Sequence, residues 1–494
     1  MSARLPRLPI WLVLLPLGCG LPVPRVVEHP VLGRAIRLVE EKTPGLMVFS
    51  KEGDLLLIGS GPSGHDDGEA VRVFDTRSLE LLWSAPVARA SFDPEGKRVL
   101  VRADDHTIEI REARSGRPMR RFKAEAASSA AFVGPRLIGV GVEGGIVFID
   151  AESGSPVDRF SRPGHHDLTA TSDGRRLLIG FHGEKSSTHQ QIVDYPGFAP
   201  RCAAPMGDLG PDGNTLAITT LDDTLVVDAN TCAPRLRTCG LAAGPSVDGK
   251  VWFRLDGETE VRRGLLALHL PEGRWQLGPS LVPPPDQIAA GPTQLALQRN
   301  ATEQTFARYF YLRPLSTWLS RDTAPAGESP QPYRWLPCPG SKKEPGDEPP
   351  GSVAGGTFED RHVALRLLPG RIDDLVLQVT NRHSRALRIE WARSSLVVIR
   401  AGSPSAPKRL WLGHLGCARY DAGVGDRPCA ATEILPGSGY VDVLRARARP
   451  DDARLFRLAP RCGDRIALEL AVSSPGEAPR TLRAELRYCS GEPR

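Results

Sequence analysis

The sequence lacks the arrangements of cysteine and histidine that hold zinc. None of its nine cysteines forms a Cys-x-x-Cys pair, and no cysteine lies at zinc-ligand spacing from a histidine, so a structural zinc site is not expected. Aromatic residues make up only 6% of the chain, which gives no sign of an aromatic stack that could hold a quinone. The composition therefore predicts no bound cofactor.

Concentrated positive charge is also missing. The net charge of +5 is spread over 494 residues, and no basic run is interleaved with aromatic residues. A nucleic-acid surface usually leaves such a footprint in the sequence. Nucleic acid is therefore not an expected partner.

Motifs for nucleophilic catalysis are scarce. The tract 59–69 offers Ser63, His65 and Asp66, but it lacks the Gly-x-Ser-x-Gly turn that exposes a hydrolase nucleophile. Adjacent residues of one loop seldom adopt the geometry of a triad. The spacing of a calcium loop is not met either, so the sequence predicts no catalytic residue and no enzyme.

The first residues have the three parts of a secretory signal. Arg4 and Arg7 precede a short apolar run, residues 8–15, and small Gly18 precedes Cys19. The apolar run is too short to span a bilayer, which needs about 20 residues. This segment, 1–18, resembles a bacterial lipoprotein signal with its lipobox at 16–19, although Pro16 stands where leucine is usual.

The lipoprotein resemblance implies a lipid anchor on Cys19. Two or more acyl chains hold a soluble domain stably at a membrane, so an exported, membrane-anchored protein is expected. Gly20 follows, and not the aspartate that retains many lipoproteins in the inner membrane, which favours the outer membrane. The alternative is an ordinary signal peptide, with Cys19 discarded or free.

Cysteine parity favours the same oxidising compartment. Without Cys19 an even set of eight remains, which allows four disulfides. Spacing indicates two pairs in the C-terminal part, Cys417 with Cys429 and Cys462 with Cys489. Spacing leaves the pairing of the other four open, namely Cys202, Cys232, Cys239 and Cys338.

A repeat organises the chain. A polar turn followed by an apolar strand recurs about every 40 residues, and each unit continues with a second strand pair around a polar turn. Two hairpins make a four-stranded sheet, which cannot bury both faces alone and must stack beside its neighbours. The turns contain glycines at positions 53, 96, 134, 174, 213, 249 and 291.

The repeats resemble the WD40-like or quinoprotein-like β-propellers over residues 45–322. The third and seventh units lack the Asp-x-Gly turn, and the Gly-His and Trp-Asp signatures of true WD40 repeats are absent. The resemblance implies an all-β, seven-bladed propeller. Eight blades remain an alternative if residues 33–41 belong to a further blade. We interpret that segment, within the tether 19–44, as the strand that completes the last blade and closes the ring.

Residues 323–357 are rich in proline, glycine and charge, which predicts an extended linker. Alternating strands follow in residues 358–494, with expected hairpins at 375–391, 431–444 and 465–489. This part resembles the small immunoglobulin-like β-sandwich at the end of some bacterial surface lipoproteins. The residues that match its hairpin pattern are Thr380, Asn381, Ser384, Ala386, Leu387, Ile389 and Trp391.

Histidines in the fourth repeat are the weak candidates for a metal site. His165, His166 and His182, with His189 nearby, could bring several imidazoles to one rim of the propeller. The repeat spacing, however, predicts an inter-blade loop for His165 and His166, where histidine is usually solvated. No metal is therefore assigned.

Two functional hypotheses remain. The first is a non-enzymatic, monomeric scaffold at the cell envelope that binds other envelope proteins, with a lipid anchor to the membrane. The second is a propeller hydrolase, lyase or metal-dependent enzyme, which needs inward-facing acidic or histidine ligands at equivalent positions. The predicted strand starts do not supply that ring of ligands: they are Leu55, Arg98, Leu137, Arg176, Thr215 and Val251.

Overall fold

The structure is a computed structural model that describes residues 24–488 with gaps. The described part is all-β except for a single 3₁₀ turn, Trp391–Arg393. Within that part no helix is long and apolar enough to cross a membrane. The longest gaps are residues 61–69, 183–188, 256–262, 301–306, 315–333, 337–352, 415–430 and 448–457.

Every repeat forms an antiparallel sheet of four consecutive strands, except that the seventh sheet takes its fourth strand from the N-terminal segment. The segment Arg25–His29 adds a fifth, outer strand to that seventh sheet, beside Gly33–Val39. The strands are β1 Arg25–His29, β2 Gly33–Val39, β3 Pro44–Phe49, β4 Leu55–Ser60, β5 Val71–Asp75, β6 Leu81–Ala85, β7 Arg89–Phe92, β8 Arg98–Asp104, β9 Thr107–Glu112, β10 Pro118–Lys123, β11 Ser129–Phe132, β12 Leu137–Val142, β13 Gly145–Asp150, β14 Pro156–Ser161, β15 His165–Ala170, β16 Arg176–His182, β17 His189–Asp194, β18 Ala199–Ala204, β19 Asp208–Leu209, β20 Thr215–Thr219, β21 Asp223–Asp228, β22 Pro234–Cys239, β23 Ala242–Pro245, β24 Val251–Leu255, β25 Arg263–His269, β26 Arg274–Leu281, β27 Gln287–Ala290, β28 Gln294–Asn300 and β29 Ala307–Pro314.

The sheets pack face to face as a β-propeller, because apolar side chains fill the space between each sheet and the next. The first strand of a sheet lies near the first strand of its neighbour, as β11 does with β15 and β23 with β27. The first strands are therefore inside, and the fourth strand of each sheet is the outer one.

The N-terminal strand joins the last sheet, as the sequence predicted. β2 pairs with β29, with Ile36 opposite Phe310. Ile36 and Leu38 are 1% exposed and share a core with Leu56 and Phe74 of the first sheet. The seventh sheet therefore packs against the first through a strand that comes from the other end of the chain.

The repeat glycines occupy the turns between the first and second strands. Six of the seven predicted positions, all but Gly291, have φ between 70° and 96°, a region that side chains other than glycine disfavour. At Gly53 a Cβ atom would also lie 2.8 Å from Cγ of Pro292, in the seventh sheet. Glycine here permits both the turn and the close approach of the two sheets.

A second turn follows the third strand of several sheets, and its aspartate accepts hydrogen bonds from the backbone. Oδ1 of Asp75 accepts from the N–H groups of Arg77 and Ser78, both at 2.9 Å. Oδ1 of Asp150 accepts from Ser153 at 2.7 Å. The turn chemistry that the sequence predicted is therefore present.

We expect these turns to make the protein sensitive to acid. The backbone N–H of Ser153 holds the pKa of Asp150 below its usual value; burial raises the pKa of Asp75, but the hydrogen bonds to its carboxylate outweigh burial and lower it overall. A lowered folded-state pKa gives stabilisation that is present above the unfolded value, about 3.9, and lost as the pH falls through the folded value. The melting temperature should therefore drop from pH 5 to pH 3, and less steeply in Asp75→Asn/Asp150→Asn. Equal slopes in the wild type and the double variant would contradict the prediction.

The C-terminal region forms a curled sheet around its own core, which includes Trp391 and Tyr440. The strands are β30 Arg334–Leu336, β31 Val353–Ala354, β32 Gly356–Glu359, β33 Val363–Pro369, β34 Asp374–Asn381, β35 Leu387–Ile389, β36 Ser395–Ile399, β37 Lys408–His414, β38 Thr432–Ile434, β39 Gly439–Arg447, β40 Arg465–Ser473 and β41 Arg480–Tyr488. They follow the order β32-β33-β34-β39-β37-β36-β40-β41, and β41 contacts β32 and β33. The immunoglobulin-like assignment stays a prediction.

Two of the three predicted hairpins of this region are wrong. β34 pairs with β33 and β39, whereas β35 pairs with β38 and β40, so neither β34 with β35 nor β38 with β39 forms a hairpin. The reason is that the two connecting turns pack on each other through buried Asn381. Its Nδ2 donates to the carbonyls of Arg385 at 2.9 Å and Ile434 at 3.0 Å. The third hairpin, β40 with β41, is confirmed.

Candidate functional site

Several predicted site residues lie outside the described part of the chain. These are Cys19, Cys338, Cys417, Cys429 and Cys489, together with the tract 61–69, which contains Ser63, His65 and Asp66. Cys462 is disulfide-bonded. Its predicted pairing with Cys489, and that of Cys417 with Cys429, stay predictions.

One disulfide involves cysteines whose pairing the sequence left open. Cys202 in β18 is bonded to Cys232, which follows β21 in the fifth sheet, and both are fully buried. The bond crosses from the outer strand of the fourth sheet to a turn of the fifth. Spacing could not identify this pair, because the two cysteines belong to different repeats and are 30 residues apart.

The candidate histidines lie in strands, which corrects the predicted loop. His165 and His166 begin β15, and His165 is the register partner of His182 in the pairing with β16. His166 is 0% exposed; its Nε2 lies 2.7 Å from the carbonyl oxygen of Arg162, and its ring meets Phe181 edge-on at 5.2 Å. The strand begins earlier than the turn spacing indicated because these residues pair with the end of β16.

Among the described side chains no three His, Cys, Asp or Glu are grouped to hold an ion. The side chains of His165 and His182 lie outside the described ones, so the candidate metal site stays a prediction. Arg162 lies over the Phe181 ring, with Cζ 4.0 Å from its centroid, and reaches Glu433 of the C-terminal region at 3.4 Å. The surroundings of His166 therefore belong to the packing between the propeller and the C-terminal sheet.

The propeller and the C-terminal sheet are joined by backbone pairing. β18 pairs in parallel with β39, with Cys202 opposite Gly439. A Cβ at Gly439 would lie 2.5 Å from Cβ of Cys232, so β39 sits between β18 and the turn of the fifth sheet. Val376 and Val443 complete the core between the fourth and fifth sheets.

A buried ion pair lies at the same junction. Arg237 of β22 donates to both oxygens of Asp374, the first residue of β34, at 2.6 Å each, and to Asp223 of β21 at 2.7 Å. The Arg237 side chain is 0% exposed, and those of the two aspartates are 1% and 5% exposed. A guanidinium can bind a carboxylate in this bidentate geometry. Arg237 therefore fixes the C-terminal sheet to the fifth sheet.

The remaining distinctive surface is the outer edge of the second sheet. Among the described residues nothing pairs with the outer side of β10, and five of its six residues are exposed. A groove of about 470 Å³ runs between β10 and the turn of the third sheet. It is lined by basic Arg117 and Arg120, the exposed side chain of Met119, and Glu152.

No protein-family profile matches this chain, and no curated protein matches it significantly. Among solved structures, the chain is similar to the β-propeller domain of Cps50 (Swd1) from Myceliophteria thermophila, with 13% identity over 55% of this chain and 97% of that one and a TM-score of 0.40. It is also similar to a chain of the Mitotic Checkpoint Complex, with 15% identity over 63% and 96% of the two chains and a TM-score of 0.41. Similarity at this level does not identify a family or a function. The propeller assignment rests on the strand pairing and packing described above.

Proposed function

We propose that this chain is a lipid-anchored, exported scaffold whose propeller binds other proteins of the cell envelope without catalysing a reaction. The observation that carries the proposal is the use of outer propeller strands for backbone pairing, as β18 does with β39. An edge that pairs with a strand of the same chain can pair with a strand of another chain by the same physics.

Two features support export. The lipobox-like segment ending at Cys19 provides the signal and the anchor. The buried bond between Cys202 and Cys232 is of a kind that persists in oxidising compartments and is rare in a reducing cytosol. We propose the outer membrane as the site of anchoring, with the chain acting as a monomer.

We propose seven blades for the propeller. Seven sheets each contain four antiparallel propeller strands, and the packing of each sheet on the next, including the seventh on the first, supports this proposal. The pairing of β2 with the outer side of β29 supports it as well, because β2 then serves as the fourth strand of the seventh sheet.

The enzymatic alternative gains no support from the described side chains. Its ring of ligands was expected at the second strand of each sheet, and those strands begin at the predicted residues. The first side chains are mainly apolar or arginine, as with Leu55 of β4 and Arg98 of β8. Stoichiometric metal in the purified full-length protein would revive this alternative.

Lipidation is tested by intact mass after expression in a bacterium. The wild-type chain should begin at Cys19 and carry a mass increase consistent with acylation, and globomycin should block its maturation. Cys19→Ser should lose both the mass increase and the membrane fraction. An unmodified mature chain that starts elsewhere would contradict the anchor and leave a soluble exported protein.

The scaffold function is tested separately, by cross-linking intact cells that express the tagged wild-type chain and then purifying it in detergent. Specific envelope proteins should be recovered at constant stoichiometry. The control is a tagged, acylated protein of unrelated fold at the same expression level. Recovery of no protein above that control would contradict the scaffold.

A further inference from the structure

Two outer strands of the propeller already carry an added parallel strand from elsewhere in the chain. β18 pairs with β39 from Cys202 onward, and β22 pairs with β30 from Leu236 onward. In both outer strands the pairing begins directly after a bulged residue, Arg201 in β18 and Arg235 in β22. The added strand therefore has a fixed register relative to the repeat.

Outer strand β10 has the same bulge in the same place. Its register shifts between Pro118 and Arg120, so Met119 is the bulged residue. By that equivalence Arg120 corresponds to Cys202 and to Leu236 as the first residue of a pairing site. In the second sheet this site, residues 120–122, has no added strand among the described residues.

The space beside β10 corresponds to the space that β39 occupies beside β18. In the fourth sheet the added strand β39 lies between β18 and the next sheet's turn, close to Cys232. The corresponding turn beside β10 is that of the third sheet, residues 150–154. The groove of about 470 Å³ lies there, and Ala151 and Glu152 of that turn line it together with Met119 and Arg120.

The charge on this edge selects the kind of strand that fits. Arg120 and Lys123 are exposed in β10, as is Arg117 directly before the strand, and Arg120 has no ion-pair partner among the described residues. The acidic residue of the groove, Glu152, is bound to Arg136 at 3.0 Å. The edge is therefore net positive, and charge complementarity favours an acidic segment.

We propose that β10 binds an acidic, extended peptide segment of a partner protein, which adds as a parallel strand at residues 120–122 and fills the groove. The proposal rests on the proposed scaffold function and names the partner chemistry. Main-chain hydrogen bonds supply the affinity in this mode, and alternate side chains supply the specificity. Because strand side chains alternate between faces, acidic residues at every second position can face Arg120.

The probe is a fluorescein-labelled decapeptide of alternating glutamate and valine, tested by fluorescence anisotropy against the full-length protein. We expect saturable binding that weakens as salt rises from 50 to 500 mM, because exposed charges are screened. Arg120→Glu should weaken binding at least about tenfold, since it replaces an attraction by a repulsion. The matched control, Arg159→Glu on neighbouring edge strand β14, makes the same charge change and should leave binding unchanged.

Two further peptides separate edge pairing from simple charge attraction. A decapeptide of alternating lysine and valine should not bind, and an acidic one N-methylated at alternate residues should lose binding because its backbone can no longer donate. Equal binding by the N-methylated peptide, or equal weakening by Arg120→Glu and Arg159→Glu, would overturn the proposal. So would binding of the protein to anionic vesicles with none to the acidic peptide.

Failure of this proposal is distinguishable from failure of the scaffold function. If cross-linking recovers the same envelope proteins with the wild type and with Arg120→Glu, the scaffold stands and the β10 site is wrong. If the peptide binds as expected but cross-linking recovers no protein, the β10 site stands and the scaffold function is wrong.

Discussion

Replacing Arg237 by alanine is expected to lower the free energy of unfolding by about 3–5 kcal/mol, the cost of breaking a buried ion pair. The guanidinium is fully buried between Asp223 and Asp374. Its removal leaves two carboxylates in the interior with their main counter-charge gone. Chemical denaturation followed by tryptophan fluorescence and circular dichroism would measure the loss.

A matched control lies two residues earlier on the same strand. Arg235 pairs with Asp228, but its side chain is 38% exposed, so Arg235→Ala should cost less than about 1 kcal/mol. A second variant, Arg237→Met/Asp223→Asn/Asp374→Asn, removes all three charges and should recover much of the loss. If it is no more stable than Arg237→Ala, lost packing and not unpaired charge causes the effect.

The Arg237 ion pair also helps to fix the position of the C-terminal sheet on the propeller. Arg237 and the β18–β39 pairing fix the C-terminal sheet to the fourth and fifth sheets. The first described strands of the chain, β1 and β2, belong to the seventh sheet. On the proposed ring, these N-terminal strands and the C-terminal sheet therefore lie in different sectors, and the edge of the second sheet lies in neither.

The propeller strands were predictable because their signals are local. A turn glycine followed by apolar alternation located the second strand of six sheets to the residue, from Leu55 of β4 to Val251 of β24. The predicted association of residues 33–41 with the last repeat is seen in the pairing of β2 with β29. Each such signal depends only on neighbouring residues in the chain.

The errors arose where the partner of a strand is distant in sequence. Alternation predicted β34 and β35 but could not distinguish a hairpin from two strands that exchange partners around Asn381. Nor does any local pattern indicate that Arg237 would meet Asp374, 137 residues later. The basic edge of β10 was missed for a related reason. It can be interpreted as a binding site only once the structure shows which other outer strands are already paired within the chain.

The second large effect is expected at the disulfide between Cys202 and Cys232. The bond closes a loop with a sequence separation of 30 residues, and restricting the unfolded chain in this way stabilises the fold by about 3.5 kcal/mol. Both cysteines also contact the junction, because Gly439 of β39 pairs with Cys202 and packs on Cys232. Losing the bond should therefore loosen the C-terminal sheet as well as the propeller.

The test compares the oxidised wild type with Cys202→Ala/Cys232→Ala in chemical denaturation. The double variant should unfold at a lower denaturant midpoint, by about 3.5 kcal/mol in free energy, and limited proteolysis should release the C-terminal sheet sooner. A single variant, Cys202→Ala, controls for the loss of one side chain, because it also lacks the bond and should match the double variant to within about 1 kcal/mol. An unchanged midpoint in the double variant would mean that strand pairing and Arg237 hold the junction without the bond, and it would weaken the argument that this protein depends on an oxidising compartment.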